Sequence, residues 1–227
     1  MATITIERKI LEKNDQVAAR NRSFFEARGI VALNLVSSPG SGKTSLLERT
    51  LAHWSGKVPL AVIEGDVQTD LDAQRIDRLG IPVAQIITNG GCHLEAHLVE
   101  GALQRIDLSG RGLLFIENVG NLVCPANYDL GEDAKVVIVS TTEGDDKPLK
   151  YPGMFHKASA LIINKIDLAP HLSTNPGILR MNALKVNPRL TVFETSCVTD
   201  EGIAAWCSWI ESMMNRKNHV IIPEISA

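Results

Sequence analysis

Ser37-Ser38-Pro39-Gly40-Ser41-Gly42-Lys43-Thr44 follows the aliphatic run Val31-Ala32-Leu33-Asn34-Leu35-Val36-Ser37 and precedes a helical pattern starting at Ser45. Small residues in such a turn let successive backbone N–H groups face phosphate oxygens. Gly40, Ser41, Gly42 and Ser45 supply that cradle, Lys43 carries an ammonium to the β and γ phosphates, and the Thr44 hydroxyl suits Mg²⁺. Ser37 departs from the pattern, which has its first glycine there. A Gly/Ser turn that merely caps a helix is the bland alternative. The strand-to-helix setting argues instead for a phosphate-binding loop, and so for a P-loop α/β fold.

Outward from that loop, β-branched runs alternate with helical stretches. VALNLVS, VPLAVIEG, PVAQII, GLLFIENV, KVVIVST, ASALIIN and LTVFETS read as strands. Helical patterns cover Ser45–Ala52, Asp70–Leu79, Leu94–Arg105, Ile178–Val186 and Ile203–Met214. Short apolar strands separated by helices predict three layers, with a mostly parallel sheet between helices. Glu7–Arg28 reads as an amphipathic helix carrying Ile10, Leu11, Val17, Ala18, Phe24 and Phe25, closed by Gly29. The expected organisation is an N-terminal helical extension (1–29), a P-loop domain (30–218) and a C-terminal tail (219–227).

Two strands end in acids, Ile63-Glu64-Gly65-Asp66 and Ile116-Glu117-Asn118. Ligands gather at the carboxyl ends of parallel strands, so Asp66 is the candidate for Mg²⁺ and Glu117 for the hydrolytic water. Asp72 is an alternative to Asp66, or a helix cap. Asn164-Lys165-Ile166-Asp167 follows the strand ending Ala160-Leu161-Ile162-Ile163. There the Asp167 carboxylate can accept from guanine N1–H and its exocyclic amine, a pair that adenine lacks. Lys165 lies along the base, Asn164 braces loops, and Ser196 with Cys197 forms a further loop on the base side. GTP, turning over to GDP with Mg²⁺, is the expected nucleotide.

Cys92 and His93 open one loop, and Cys124 sits in another seven residues past Glu117. Both loops are expected at the sheet's carboxyl edge. Three soft or borderline ligands suit Zn²⁺ or Ni²⁺ without closing a tetrahedron, as in an exchangeable site or one shared across a two-fold axis. The plain alternative is a buried cysteine and a helix start. His97, four residues after His93, is a possible further ligand or an ordinary helix-face histidine. Cys197 and Cys207 read as structural.

The formal charge of −3 and the lack of a Lys/Arg-rich run offer no field for nucleic acid. No run of eighteen apolar residues suggests a membrane span, and charges in MATITIERKI oppose a signal peptide, so a cytoplasmic location is expected.

SSPGSGKTSL, IEGD, GCHLEAH, FIENVGNLVCP, TTEGDDKPLKYP and NKIDL together resemble the nickel-insertion GTPases of hydrogenase maturation, the HypB family, across Val31–Trp209. The pairing of GCHLEAH with ENVGNLVCP is the specific part. The resemblance implies a GTPase that dimerises with GTP, and the lack of an obvious arginine finger or glutamine in the expected place predicts slow turnover. It also implies Zn²⁺ or Ni²⁺ on Cys92, His93 and Cys124 at the dimer interface. Implied partners are the nickel-delivery protein HypA and the [NiFe]-hydrogenase large subunit. Some members carry an N-terminal cysteine motif or a histidine-rich nickel store, whereas Met1–Arg28 has neither Cys nor His. A urease-type nickel accessory GTPase would carry Cys-Pro-His, absent here, and a phosphotransferase would need an acceptor pocket and lid.

Overall fold

A computed structural model describes residues 6–108, 110 and 112–221. Seven strands form its sheet: β1 (Val31–Ser37), β2 (Leu60–Asp66), β3 (Val83–Ile87), β4 (Leu113–Glu117), β5 (Ala134–Ser140), β6 (Ala160–Asn164) and β7 (Thr191–Thr195). They lie in the order β3-β2-β4-β1-β5-β6-β7. Every neighbouring pair is parallel, so the sheet is wholly rather than mostly so. Each segment expected as a strand contains one. All residues of β1, β4, β5 and β6 are buried, which is why these read as unbroken apolar runs.

The helices are α1 (Ile6–Arg28), α2 (Lys43–Trp54), α3 (Leu71–Asp77), α4 (Ala96–Leu103), α5 (Lys147–Lys150), α6 (Pro152–Lys157), α7 (Pro176–Val186) and α8 (Ile203–Ile221). On one face Leu46, Leu47, Ile76, Trp206 and Ile210, from α2, α3 and α8, pack with Leu33, Leu35, Phe115 and Val136. On the other, Phe25 of α1 and Val99 of α4 pack with Ala32, Ile63 and Ile116. Phe155 of α6 and Leu179 of α7 complete that face against Val137 and Leu161.

Several expectations need adjustment. The helices α5 and α6 lie outside the helical patterns read from sequence; both are short and carry a proline in the first turn, Pro148 and Pro152, whose fixed φ suits that place. The last helix runs to Ile221, past the start expected for the tail, while residues 1–5 and 222–227 lie outside the described set. On α1, Ile10 is exposed, and the buried stripe is Asn14, Val17, Ala18, Asn21 and Phe25. Two asparagines thus occupy positions that an apolar pattern would leave to hydrophobes. Among the described residues no helix is long and apolar enough to cross a membrane.

Candidate nucleotide and metal centres

The chain leaves β1 at Ser37 and turns through Gly40 (φ 78°) and Gly42 (φ 89°) into α2. Gly42 is held there by more than its dihedral, since a Cβ would stand 2.5 Å from the Asn164 amide nitrogen. The turn walls a cavity of about 500 Å³ that also touches Glu64, Asp66, Asp72, Arg75, Glu117 and Lys165. That volume is in the range of small-molecule sites.

Inside it, the Lys43 ammonium pairs with Glu117, and the Thr44 hydroxyl donates to Glu117 Oε1 at 2.7 Å. Glu117 is fully buried, and its Oε2 has no partner. Glu64, on the adjacent strand, stands in register with Glu117, is 1% exposed and also has an unpartnered Oε2. Glu64, Asp72 and Glu117 each bring a carboxylate oxygen within 4.8 Å of the others. Burial, then the negative charge of Glu117, pushes the Glu64 carboxyl from 4.5 up to about 10, so it stays protonated at neutral pH.

A proton held more tightly by the folded chain than by the unfolded chain favours folding at low pH, and that advantage is lost as pH climbs from 4.5 towards 10. By pH 7 the loss is about 3 kcal/mol. Glu64→Gln keeps the shape without the ionisation. It is expected to raise the melting temperature of nucleotide-free protein by about 5 °C or more at pH 8, and to flatten its pH dependence. Thermal melts between pH 5 and 9 check this.

Asp66 lies on the cavity wall, but its Oδ1 accepts from Gln68 N (2.9 Å), Thr69 N (2.6 Å) and Thr69 Oγ1 (3.1 Å). Partial burial raises its pKa, yet these bonds outweigh that and leave it lowered. Asp72, by contrast, joins the carboxylate group. Ser45 accepts from Arg75 Nη2 at 3.3 Å, and Arg75 is further tied to Glu48 (2.7 Å) and Asp72 (3.2 Å). Glu64 and Arg75 were not foreseen as site residues.

The NKID segment braces the opposite wall. Asn164 Nδ2 donates to Ser41 O (2.9 Å), while its Oδ1 accepts from Thr195 Oγ1 (3.1 Å) and contacts Cys197 Sγ (3.6 Å). Lys165, in a left-handed conformation (φ 61°), donates to Gly40 O at 2.7 Å. Asp167 has a buried Oδ1 with no partner. Ser196 accepts from Val198 N and Thr199 N, and so shapes the loop after β7.

Cys92, His93 and Cys124 each place one ligand atom within 4.8 Å of the other two. Both cysteines are free thiols, and the Cys92 thiol is pushed up chiefly by its hydrogen bond with Cys124. Burial lowers the His93 pKa against the pull of Glu95. Its ring lies 3.9 Å from that of Tyr128, and its Nε2 is buried without a hydrogen bond. Two thiols and the His93 imidazole, whose Nδ1 lies 3.5 Å from Cys92 Sγ, are a soft donor set that fits Zn²⁺ or Ni²⁺. His97 stays outside this group, mostly exposed and paired with Glu95 at 3.3 Å.

The two centres adjoin. Asn118, directly after Glu117, accepts from Leu94 N at 3.0 Å, beside His93. Gly120 approaches the P-loop so closely that a Cβ would meet Pro39 Cγ at 3.1 Å. The loop from Glu117 to Cys124 therefore touches the nucleotide cradle at one end and the thiol pair at the other.

The CobW/HypB/UreG nucleotide-binding domain matches residues 31–194. The hydrogenase maturation factor HypB of Azotobacter vinelandii is 57% identical over 208 residues, covering 92% of this chain and 69% of that protein. The chain belongs to the HypB family. Solved family structures agree: HypB from Archaeoglobus fulgidus superposes with a TM-score of 0.84 at 37% identity, covering 89% of this chain and 99% of that one. HypB from Helicobacter pylori, solved in complex with nickel, has a TM-score of 0.83 at 36% identity, covering 95% and 100%. The matched domain spans every motif on which the resemblance was read, from the turn after β1 to the NKID segment.

Proposed function

We propose that the protein is a slow GTPase that carries nickel for [NiFe]-hydrogenase maturation, holding Ni²⁺ or Zn²⁺ on Cys92, His93 and Cys124 under nucleotide control. The observation that carries this reading is the Glu117–Cys124 loop, which joins the acid paired to Lys43 to a thiol of the Cys/His cluster. The nickel-bound relative supports the choice of metal. As the family resemblance implies, the partners are a HypA-type delivery protein, the hydrogenase large subunit and a second copy of this chain, in the cytoplasm.

In this reading Asp167 accepts from guanine, and the Gly40–Ser45 cradle with Lys43 receives the phosphates. Lys43 then exchanges Glu117 for phosphate oxygens, freeing Glu117 to orient the attacking water. Thr44 and Asp72 would hold Mg²⁺, with Asp66 shaping the turn that follows β2; Glu64, Asp72 and Glu117 bring their carboxyl oxygens close enough together for a cation to be shared there. A Mg²⁺ ion held by these residues would supply positive charge against the phosphates. Release of Glu117 from Lys43 shifts Asn118 and, through it, the backbone beside His93.

Arg75 is engaged by Glu48 and Asp72, so it supplies no free arginine finger. Turnover by the isolated protein is accordingly expected at about 10⁻⁴ to 10⁻² s⁻¹. Rates of tens per second without a partner would contradict a switch. Linkage requires that metal and nucleotide alter one another's affinity by the same factor, typically about 5–150-fold. Titration of Ni²⁺ and Zn²⁺ with native mass measurement, in GDP and in a non-hydrolysable GTP analogue, reads that factor and the stoichiometry together. Identical metal affinity and mass in both states would remove nucleotide control.

A further inference from the structure

The cluster of Cys92, His93 and Cys124 rests on two separate arms, and the residues that hold the arms together are polar, buried and outside the nucleotide site. Lys135, at the start of β5, is 7% exposed. Its ammonium donates to Pro125 O (2.9 Å) and Tyr128 O (3.0 Å), and stands 3.5 Å from Ala126 O. These carbonyls belong to the turn that begins at Cys124 and ends under the His93 ring. Asn14 of α1, 5% exposed, reaches both arms with one side chain: Oδ1 accepts from Ala96 N at 2.9 Å, and Nδ2 donates to Asp129 O at 2.8 Å.

We infer that Lys135 and Asn14 are positioning residues for the metal centre, clamping the Cys124–Tyr128 arm at a fixed distance from the Cys92–His93 arm. The inference rests on the reading of Cys92, His93 and Cys124 as ligands. Burying an ammonium costs several kcal/mol unless partners repay it. Burial does lower the Lys135 pKa, with Glu132 opposing. A methionine would fill the same space at lower cost and leave the carbonyls of the Cys124 turn without a donor. The clamp continues inward: Asn34 donates to Glu132 Oε1 (3.0 Å), Asn118 donates to Asn34 Oδ1 (3.2 Å), and Leu94 N donates to Asn118 (3.0 Å). Glu132 Oε1 lies 3.7 Å from Lys135, so a continuous polar chain runs behind the cluster from one arm to the other. Hydrogen-bonded partners outside a ligand set commonly change metal affinity about 10–100-fold when removed.

The test uses the full chain. Lys135→Met is paired with Glu132→Gln in the same molecule, which avoids stranding a buried carboxylate, and Asn14→Leu is made separately. Ni²⁺ and Zn²⁺ affinities are measured by chelator competition, sulfur-to-nickel charge-transfer absorption reports ligand geometry, and GDP affinity without metal serves as the control. Each variant is expected to lose about 10–100-fold in Ni²⁺ affinity with an altered charge-transfer band. GDP affinity should stay within about twofold, because none of Asn14, Glu132 and Lys135 lines the nucleotide cavity. Wild-type metal affinity and spectrum in either folded variant would overturn the clamp, as would equal losses of metal and GDP affinity. If the double variant does not melt cooperatively, Asn14→Leu decides. Cys92→Ser separates the two ideas: if it loses metal while the clamp variants do not, only the clamp fails. A wild type that holds neither metal sinks the ligand assignment and the clamp with it.

Discussion

Asp167→Asn is expected to weaken GTP binding by about 10² to 10⁴-fold while metal binding stays intact. The Asp167 Oδ1 is buried and has no hydrogen-bond partner among the described residues. Two bonds from guanine, N1–H and the exocyclic amine, would complete this carboxylate, and bonds to a charged acceptor contribute about 1.5–3 kcal/mol each. Asparagine keeps the shape but turns one acceptor into a donor, so it faces a guanine donor with another donor. A base carrying a carbonyl at position 2, as xanthine does, should regain much of what guanine loses. The neighbouring frame favours a clean result, since Asn164 and Lys165 are anchored to the P-loop through Ser41 O and Gly40 O. Calorimetric titrations with GTP, XTP and ATP check this. An unchanged preference for guanine in a folded variant would show that Asp167 does not read the base.

The sheet was legible because its central strands are buried on both sides, and that burial writes itself into sequence as apolar runs. The P-loop was legible because backbone geometry at Gly40 and Gly42 restricts which residues fit. What escaped notice depended on strand order. Glu64 and Glu117 end segments about fifty residues apart, and only the β2–β4 pairing sets them side by side. Burial first, and then that juxtaposition, pushes the Glu64 carboxyl up to about 10. Asp66 was the natural magnesium candidate by position, yet its turn consumes Oδ1. Short-range hydrogen bonds of that kind leave little trace in a pattern of residue types. Asn14 and Lys135 were invisible for a related reason: a buried polar group is licensed by partners, and the partners here are backbone atoms of distant loops.

Replacing Cys92 with serine should cost more metal affinity than any clamp variant, beyond the roughly 10–100-fold that an outer hydrogen bond controls. The cluster offers one imidazole and two sulfurs, all within 4.8 Å of one another, and serine takes away one of the two soft donors. A hydroxyl at neutral pH stays protonated and is a poor ligand for Zn²⁺ or Ni²⁺. The protein fold should tolerate the change, because Cys92 is only half-buried and its side-chain neighbours, Cys124, Asn121 and His93, are themselves only partly buried. Nucleotide binding without metal should therefore match the wild type, whereas the metal-dependent shift in GTP affinity should vanish together with the metal. That second loss distinguishes a coupled site from an adventitious one, since linkage ties the shift to occupancy of the cluster. Chelator competition and GTP titrations, each with and without Ni²⁺, supply both numbers. Unchanged Ni²⁺ and Zn²⁺ affinity in the variant would mean that the metal sits elsewhere on the chain, and the Glu117–Cys124 loop would then have nothing to report to.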